Sequence, residues 1–264
     1  MGKKLNKAPV YYTVAQVQFN PILNLEGYLP AIQAKMREAH FPDFKQALSQ
    51  RLVLPFGGIE VAQMAAPAMT PQSRYLFGDI SGQSLFLLET NAMSFQTTVY
   101  DTFETFSAIL LKGLGILHEA LGLDFVERIG LRYLDAVQPF KESETLRDYL
   151  VPEVLGLALR GEGRLQHAVS ETTTTTQAGQ LVSRVVIRYG KVGLPMELSG
   201  LAPAIDSRFT QREDLHAIID TDSSISHRDA FELAKIKSRL TALHEEIDKS
   251  FRATVTDHAL ASWA

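Results

Sequence analysis

Hydrophobic and polar positions along this chain alternate, stretch to helical spacing and alternate again, and the cycle runs twice. Val10–Phe19 predicts a strand: Tyr11, Tyr12, Val14, Val17 and Phe19 suit a pleated, half-buried surface, and Asn20-Pro21 ends the run. From Leu25 to about Ala39 the spacing becomes helical, with Leu25, Tyr28, Leu29, Ile32 and Met36 along one stripe. Pro30 falls early in this segment, where a missing N–H matters least. Phe41-Pro42-Asp43-Phe44 breaks the helix. Short strands are then predicted at Arg51–Phe56, Ile59–Met64, Arg74–Ile80, Ser84–Glu89 and Met93–Tyr100. Turn residues separate them: Gly57-Gly58, Pro67 with Pro71, Ser81-Gly82 and Thr90-Asn91. An amphipathic helix follows from about Asp101 to Leu121, with Gly122 as its stop.

The second cycle keeps this order. Val126–Val137 predicts a strand with Ile129, Leu131 and Tyr133 alternating, and Thr145–Leu159 a helix ended by Arg160-Gly161. Arg164–Thr176 and Gln180–Tyr189 form a hairpin around Ala178-Gly179. Ser207–Gln211 and Asp214–Asp220 add strands, and Asp222-Ser223-Ser224 marks a turn. Asp229–Phe251 closes the cycle as a helix, with Phe231, Ile236, Leu240, Leu243 and Ile247 for its apolar stripe.

Residues echo one another in the same order. Leu25-Glu26-Gly27-Tyr28-Leu29 returns as Leu146-Arg147-Asp148-Tyr149-Leu150, Asp101-Thr102-Phe103-Glu104 as Asp229-Ala230-Phe231-Glu232, and Ile116-Leu117-His118-Glu119 as Ala242-Leu243-His244-Glu245. Ordered echoes predict an internal duplication, with α+β repeats at 8–122 and 123–252 and a C-terminal tail at 253–264. Hairpin strands pair antiparallel, and two helices per unit cover only one face. The expected fold class is therefore α+β: duplicated β-α-β(3-4)-α units forming a broad curved antiparallel sheet with long helices on one face. This order resembles the duplicated arrangement of the TATA-binding protein, and equally a helix-grip layout.

Composition narrows the chemistry. Cysteine is absent from the 264 residues, which excludes disulfides, thiol nucleophiles and cysteine metal sites and suits a reducing cytosol. A net charge of −4 argues against a general nucleic-acid footprint. The lysines of Met1–Lys7 precede no apolar signal core, and the apolar stretches at Phe106–Leu123 and Leu150–Leu159 carry charges or are short, so no membrane span is expected and a cytoplasmic location is.

No phosphate loop, dinucleotide fingerprint, nucleophile elbow or His-Glu-x-x-His pattern is present. The repeated His118-Glu119 and His244-Glu245 suggest a shared carboxylate–histidine metal site, but polar helix edges carry such residues ordinarily, and no metal, cofactor or catalytic residue is expected. Gly113 and Gly115 lie in a predicted helix, where they allow close packing. Thr172–Thr176 predicts a solvated strand near a hairpin. Arg128 and Arg132, and likewise Arg184 and Arg188, stand four apart on strands and so share a face. They form a candidate basic stripe for a partner, or they pair with Glu127, Asp135 and Glu171. Trp263, the only tryptophan, either docks on its own core or joins the arginines as a partner contact.

Several of these segments resemble one family: the entry strand, the Phe-Pro-x-Phe of Phe41–Phe44, the helix entry Tyr100-Asp101-x-Phe103, and the strand Phe125-Val126-Glu127-Arg128-Ile129-Gly130-Leu131-Arg132-Tyr133. It is a sporadically distributed group of prokaryotic proteins of about this length. The resemblance spans nearly the whole chain, rests on aromatic and apolar positions and carries no catalytic residue. It implies a non-catalytic module that binds another protein, as an accessory or neutralising component of a prokaryotic defence or toxin–antitoxin system. The alternatives are a small-molecule binder or enzyme with a pocket between sheet and helices, and a nucleic-acid clamp. A deep pocket with convergent polar groups would separate the second reading from the first.

Overall fold

The structure is a computed structural model that describes residues 7–52 and 69–264. Among the described residues, nine strands form one sheet in the order β2-β3-β4-β5-β1-β6-β9-β8-β7, every neighbouring pair antiparallel. The strands are β1 (Val10–Phe19), β2 (Asp43–Leu52), β3 (Met69–Gly78), β4 (Ser84–Glu89), β5 (Ala92–Thr97), β6 (Phe125–Val137), β7 (His167–Thr175), β8 (Gln180–Gly190) and β9 (Asp214–Ala230). The first strands of the two cycles, β1 and β6, pair at the centre, from Val10 opposite Asp135 to Phe19 opposite Val126. The expected α+β class and antiparallel sheet are what the chain forms.

Alternation along the strands builds the core. Ala15, Val17 and Phe19 of β1, Phe95 of β5 and Ile129, Leu131 and Tyr133 of β6 face one way. Against them lie the helices α1 (Leu25–Glu38), α2 (Phe103–Leu121) and α7 (Leu233–Thr254), through Ile32 and Met36, Leu110 and Leu114, and Ile236, Leu240 and Leu243. At the other end of the same face, the short helices α3 (Leu146–Tyr149) and α4 (Pro152–Leu155) and the terminal α8 (Asp257–Trp263) pack on Val185, Ile187, Ala217 and Ile219. Thr102 caps α2 by accepting from the Thr105 N–H, and Gly122 ends it in the left-handed region at φ 63°. Gly113 sits against the Phe86 ring, where a Cβ would lie 2.3 Å from Cε1, so this glycine allows helix and sheet to approach closely.

The opposite face is not bare. Residues 191–211 strap across it, with turns α5 (Met196–Ser199) and α6 (Ser207–Thr210), and Val192 and Phe209 bury Tyr11, Leu134, Ala136 and Ile218. The strand expected at Ser207–Gln211 is thus the helical turn α6, begun by Asp206, whose carboxylate accepts from the Arg208 N–H. Other expectations shift. β2 begins at Asp43, directly after Phe41-Pro42. The expected helix Thr145–Leu159 is two four-residue turns and a 3₁₀ turn, interrupted at Pro152 and at Gly156, whose φ is 51°. The expected turn at Asp222–Ser224 lies inside β9, and α7 starts at Leu233 because β9 stays paired with β6 as far as Ala230 opposite Phe125. The strand expected at Ile59–Met64, and Arg51–Phe56 beyond Leu52, lie outside the described residues.

The last two echoes meet in space. Phe103, at the start of α2, stacks on His244 of α7 at 4.2 Å between ring centroids, with planes 1° apart. Phe231, just before α7, stacks on His118 of α2 at 4.6 Å and 16°. The first echo is less regular, since Leu25–Leu29 opens a 14-residue helix and Leu146–Tyr149 is a helix of only 4.

Candidate functional site

A cavity of about 350 Å³ opens where the two core regions meet, between the sheet and the helix layer. β6 supplies its floor through Tyr133 and Asp135, and the start of α2 supplies Phe103 and Glu104. α7 contributes His244, Ile247 and Asp248, and α8 contributes Leu260. Tyr100, in the turn before α2, completes an aromatic corner: its ring meets Tyr133 edge-on at 5.2 Å.

Hydrogen bonds link the corner. The Tyr133 hydroxyl donates to the Tyr100 hydroxyl at 3.1 Å and lies 3.3 Å from His244 Nδ1. Tyr133 thus stands between a second hydroxyl and an imidazole nitrogen. Burial lowers the His244 pKa below the usual histidine value, so the ring is neutral at pH 7. Burial also pushes the Tyr100 hydroxyl up to about 12 and Tyr133 well above the usual range. Tyr133 stands in a row of hydroxyl residues in register across the sheet: Thr97, Thr13, Tyr133, Thr221 and Ser183. The buried Thr13 and Thr221 hydroxyls beside it have no hydrogen-bond partner among the described residues.

Asp135 is the buried carboxylate of this environment. Its side chain lines the cavity, the residue is 7% exposed, and no described residue gives its carboxylate a hydrogen bond or ion pair. Desolvation alone pushes its pKa up to about 7. The carboxyl can therefore hold or release a proton near neutrality, as a general acid or base must. Among the described lining residues, the aliphatic hydroxyl of Thr102 is engaged as the cap of α2.

The residues singled out in the sequence lie elsewhere. Arg128, Arg132, Arg184 and Arg188 do share one face, the one away from the long helices, as the alternation with Ile129, Leu131, Val185 and Ile187 requires. Arg132 is 14% exposed and donates to both oxygens of Asp220, each at 2.7 Å, and to Glu197 at 3.0 Å. Arg184 bridges Asp220 and Glu171. Arg188 reaches the Lys191 and Gly193 carbonyls of the strap. Arg128 lies over Gly130. Asp135 is not a partner of this group, contrary to one expected pairing, because it has the opposite parity along β6. That parity was the available signal for the site: position 135 shares a face with the apolar Ile129, Leu131 and Tyr133, where a carboxylate is costly. Trp263 is 2% exposed, packed beside Tyr149 and Phe251, so it serves its own core and offers no surface to a partner.

Among the described residues no three His, Asp or Glu side chains are grouped to hold a metal ion; His118 and His244 instead stack on separate phenylalanines. No described helix is long and apolar enough to cross a membrane. The chain matches no family model and no curated protein.

Proposed function

We propose that this chain is a ligand-binding protein whose pocket between sheet and helices takes a small organic molecule. The observation that carries this reading is the unpaired, buried Asp135 carboxylate at a cavity of about 350 Å³ with aromatic walls. Ligand sites of about 300–1,000 Å³ combine mostly apolar walls with a few convergent polar groups. A carboxylate left without partners in an apolar wall is costly to folding and has no structural use there. Leu260, half-buried at the α8 edge of the cavity, gives a direct test. Leu260→Trp is expected to fill the space, leave the melting temperature within a few degrees and abolish binding of any small-molecule hit found by ligand-observed NMR. A hit that binds this variant as well as the parent occupies another place and removes the support for this reading.

A second reading has its own observation. β7 is an edge strand whose Thr172–Thr175 are exposed, and an open edge can accept a strand from another protein. With the arginine face beside it, this supports a module that binds another protein within a defence or toxin–antitoxin system, in a reducing cytoplasm that suits a chain without cysteine. Arg128→Glu and Arg188→Glu are then expected to melt near the parent and to lose the protein that the tagged parent captures from its host. Retention of that protein by both variants removes the arginines from the interface.

A further inference from the structure

We infer that the ligand of this pocket is an organic cation, a protonated amine with an apolar body, seated with its ammonium group on Asp135. The inference rests on the pocket reading above and adds the ligand's charge.

The charges that face the cavity favour this sign. Asp135 and Glu104 both belong to its lining. Among the described lining residues the one guanidinium, Arg252, donates through Nε to Asp248 at 2.9 Å, so these two charges largely offset each other. His244 is neutral near pH 7 because burial disfavours its charged form. An anionic ligand would meet an unneutralised carboxylate in a poorly solvated site, which is strongly unfavourable. A cation would give Asp135 the ion pair and hydrogen bonds that no described residue supplies. The aromatic faces act in the same direction. Tyr100, Phe103 and Tyr133 line the same cavity as Asp135, and aromatic faces attract ammonium groups held within about 6 Å. The remaining walls, Val10, Ile247 and Leu260, are apolar and suit a hydrocarbon body.

The experiment uses the full chain and three probes that share a phenyl ring and differ in the group at the end of the tether: phenethylamine, 2-phenylethanol and 3-phenylpropionate. Binding is read by ligand-observed NMR at pH 8 and by the shift in melting temperature. Phenethylamine is expected to bind about tenfold more tightly than the alcohol, and the carboxylate to show no binding. Asp135→Asn is expected to erase the tenfold preference while still binding the alcohol, which separates the pocket carboxylate from any general attraction to an acidic surface. If the alcohol or the carboxylate binds the parent as well as the amine does, the cation inference falls and the pocket reading stands. If amine preference survives in Asp135→Asn, the charge is recognised elsewhere and the inference also falls. If none of the three binds the parent, both readings fall together.

Discussion

Asp135→Asn is expected to melt higher than the parent at pH 8, with the difference shrinking as the pH is lowered toward 4. The carboxyl has its folded pKa raised from 3.8 to about 7 by burial, so the folded chain holds the proton more tightly than the unfolded chain does. Its contribution to stability is fully present below about pH 4 and is lost as the pH rises through about 7. At about 1.36 kcal/mol per pKa unit, the ionised form costs at most roughly 4 kcal/mol, less where the open cavity admits water. Asparagine carries no charge at any pH, and the penalty for its unpaired amide is a constant offset. Melting curves of both proteins from pH 4 to pH 8 give the test. A difference that does not grow with pH means that Asp135 ionises freely, and the argument for an unsatisfied carboxylate fails with it.

Asp220→Ala should be the most damaging substitution on the opposite face. Asp220 is 4% exposed and holds Arg132 through two hydrogen bonds of 2.7 Å and Arg184 through one of 3.0 Å. Its removal leaves the 14% exposed Arg132 guanidinium with Glu197, which is largely in solvent, as its remaining ion-pair partner. Breaking a buried pair on one side costs about 3–5 kcal/mol, because a charge stays buried without compensation. For a chain of this size that lowers the melting temperature by on the order of 10 °C. Arg184, 33% exposed, can turn to water and softens the loss. The double variant Arg132→Met/Asp220→Leu should recover most of the stability, since the charges it leaves without that partner, Glu197 and Arg184, reach solvent. A melting temperature for Asp220→Ala within 2 °C of the parent, on the order of measurement scatter, would show the pair to be ornamental to the fold. This assigns Arg132 a part in folding through Asp220, which was not among the carboxylates that the sequence offered as partners.

Elements written in local residues were legible in the chain. Ser84–Glu89, the β7–β8 hairpin and the end of α2 at Gly122 follow from alternation, turn residues and a left-handed cap, all of which act within a few positions. Only the first part of β9, Asp214–Asp220, was; its continuation was not, because Asp222, Ser223 and Ser224 read as a turn. Their strand conformation depends on partners remote in sequence: Asp222 lies opposite Arg132, and Ser224 opposite Gly130. β2 gives little signal for the same reason, since Lys45, Gln46 and Ser49 show no apolar period on an edge strand. The candidate site was the least legible part. Tyr100, Asp135 and His244 come from three distant segments, and only the packing of α2 and α7 over β6 brings them together. The duplication of 8–122 and 123–252 is a reading we propose, and the reciprocal Phe103–His244 and Phe231–His118 stacks support it where sequence echoes alone did not suffice.

The central pairing of β1 with β6 bears on how the chain is made. During synthesis β1 can find β5 once Thr97 has emerged, but its other edge has no neighbour until Phe125–Val137 follow. A nascent chain halted within α2 would therefore present the N–H and C=O groups of an apolar strand, Val10–Phe19, to whatever lies nearby, including another nascent chain on the same message.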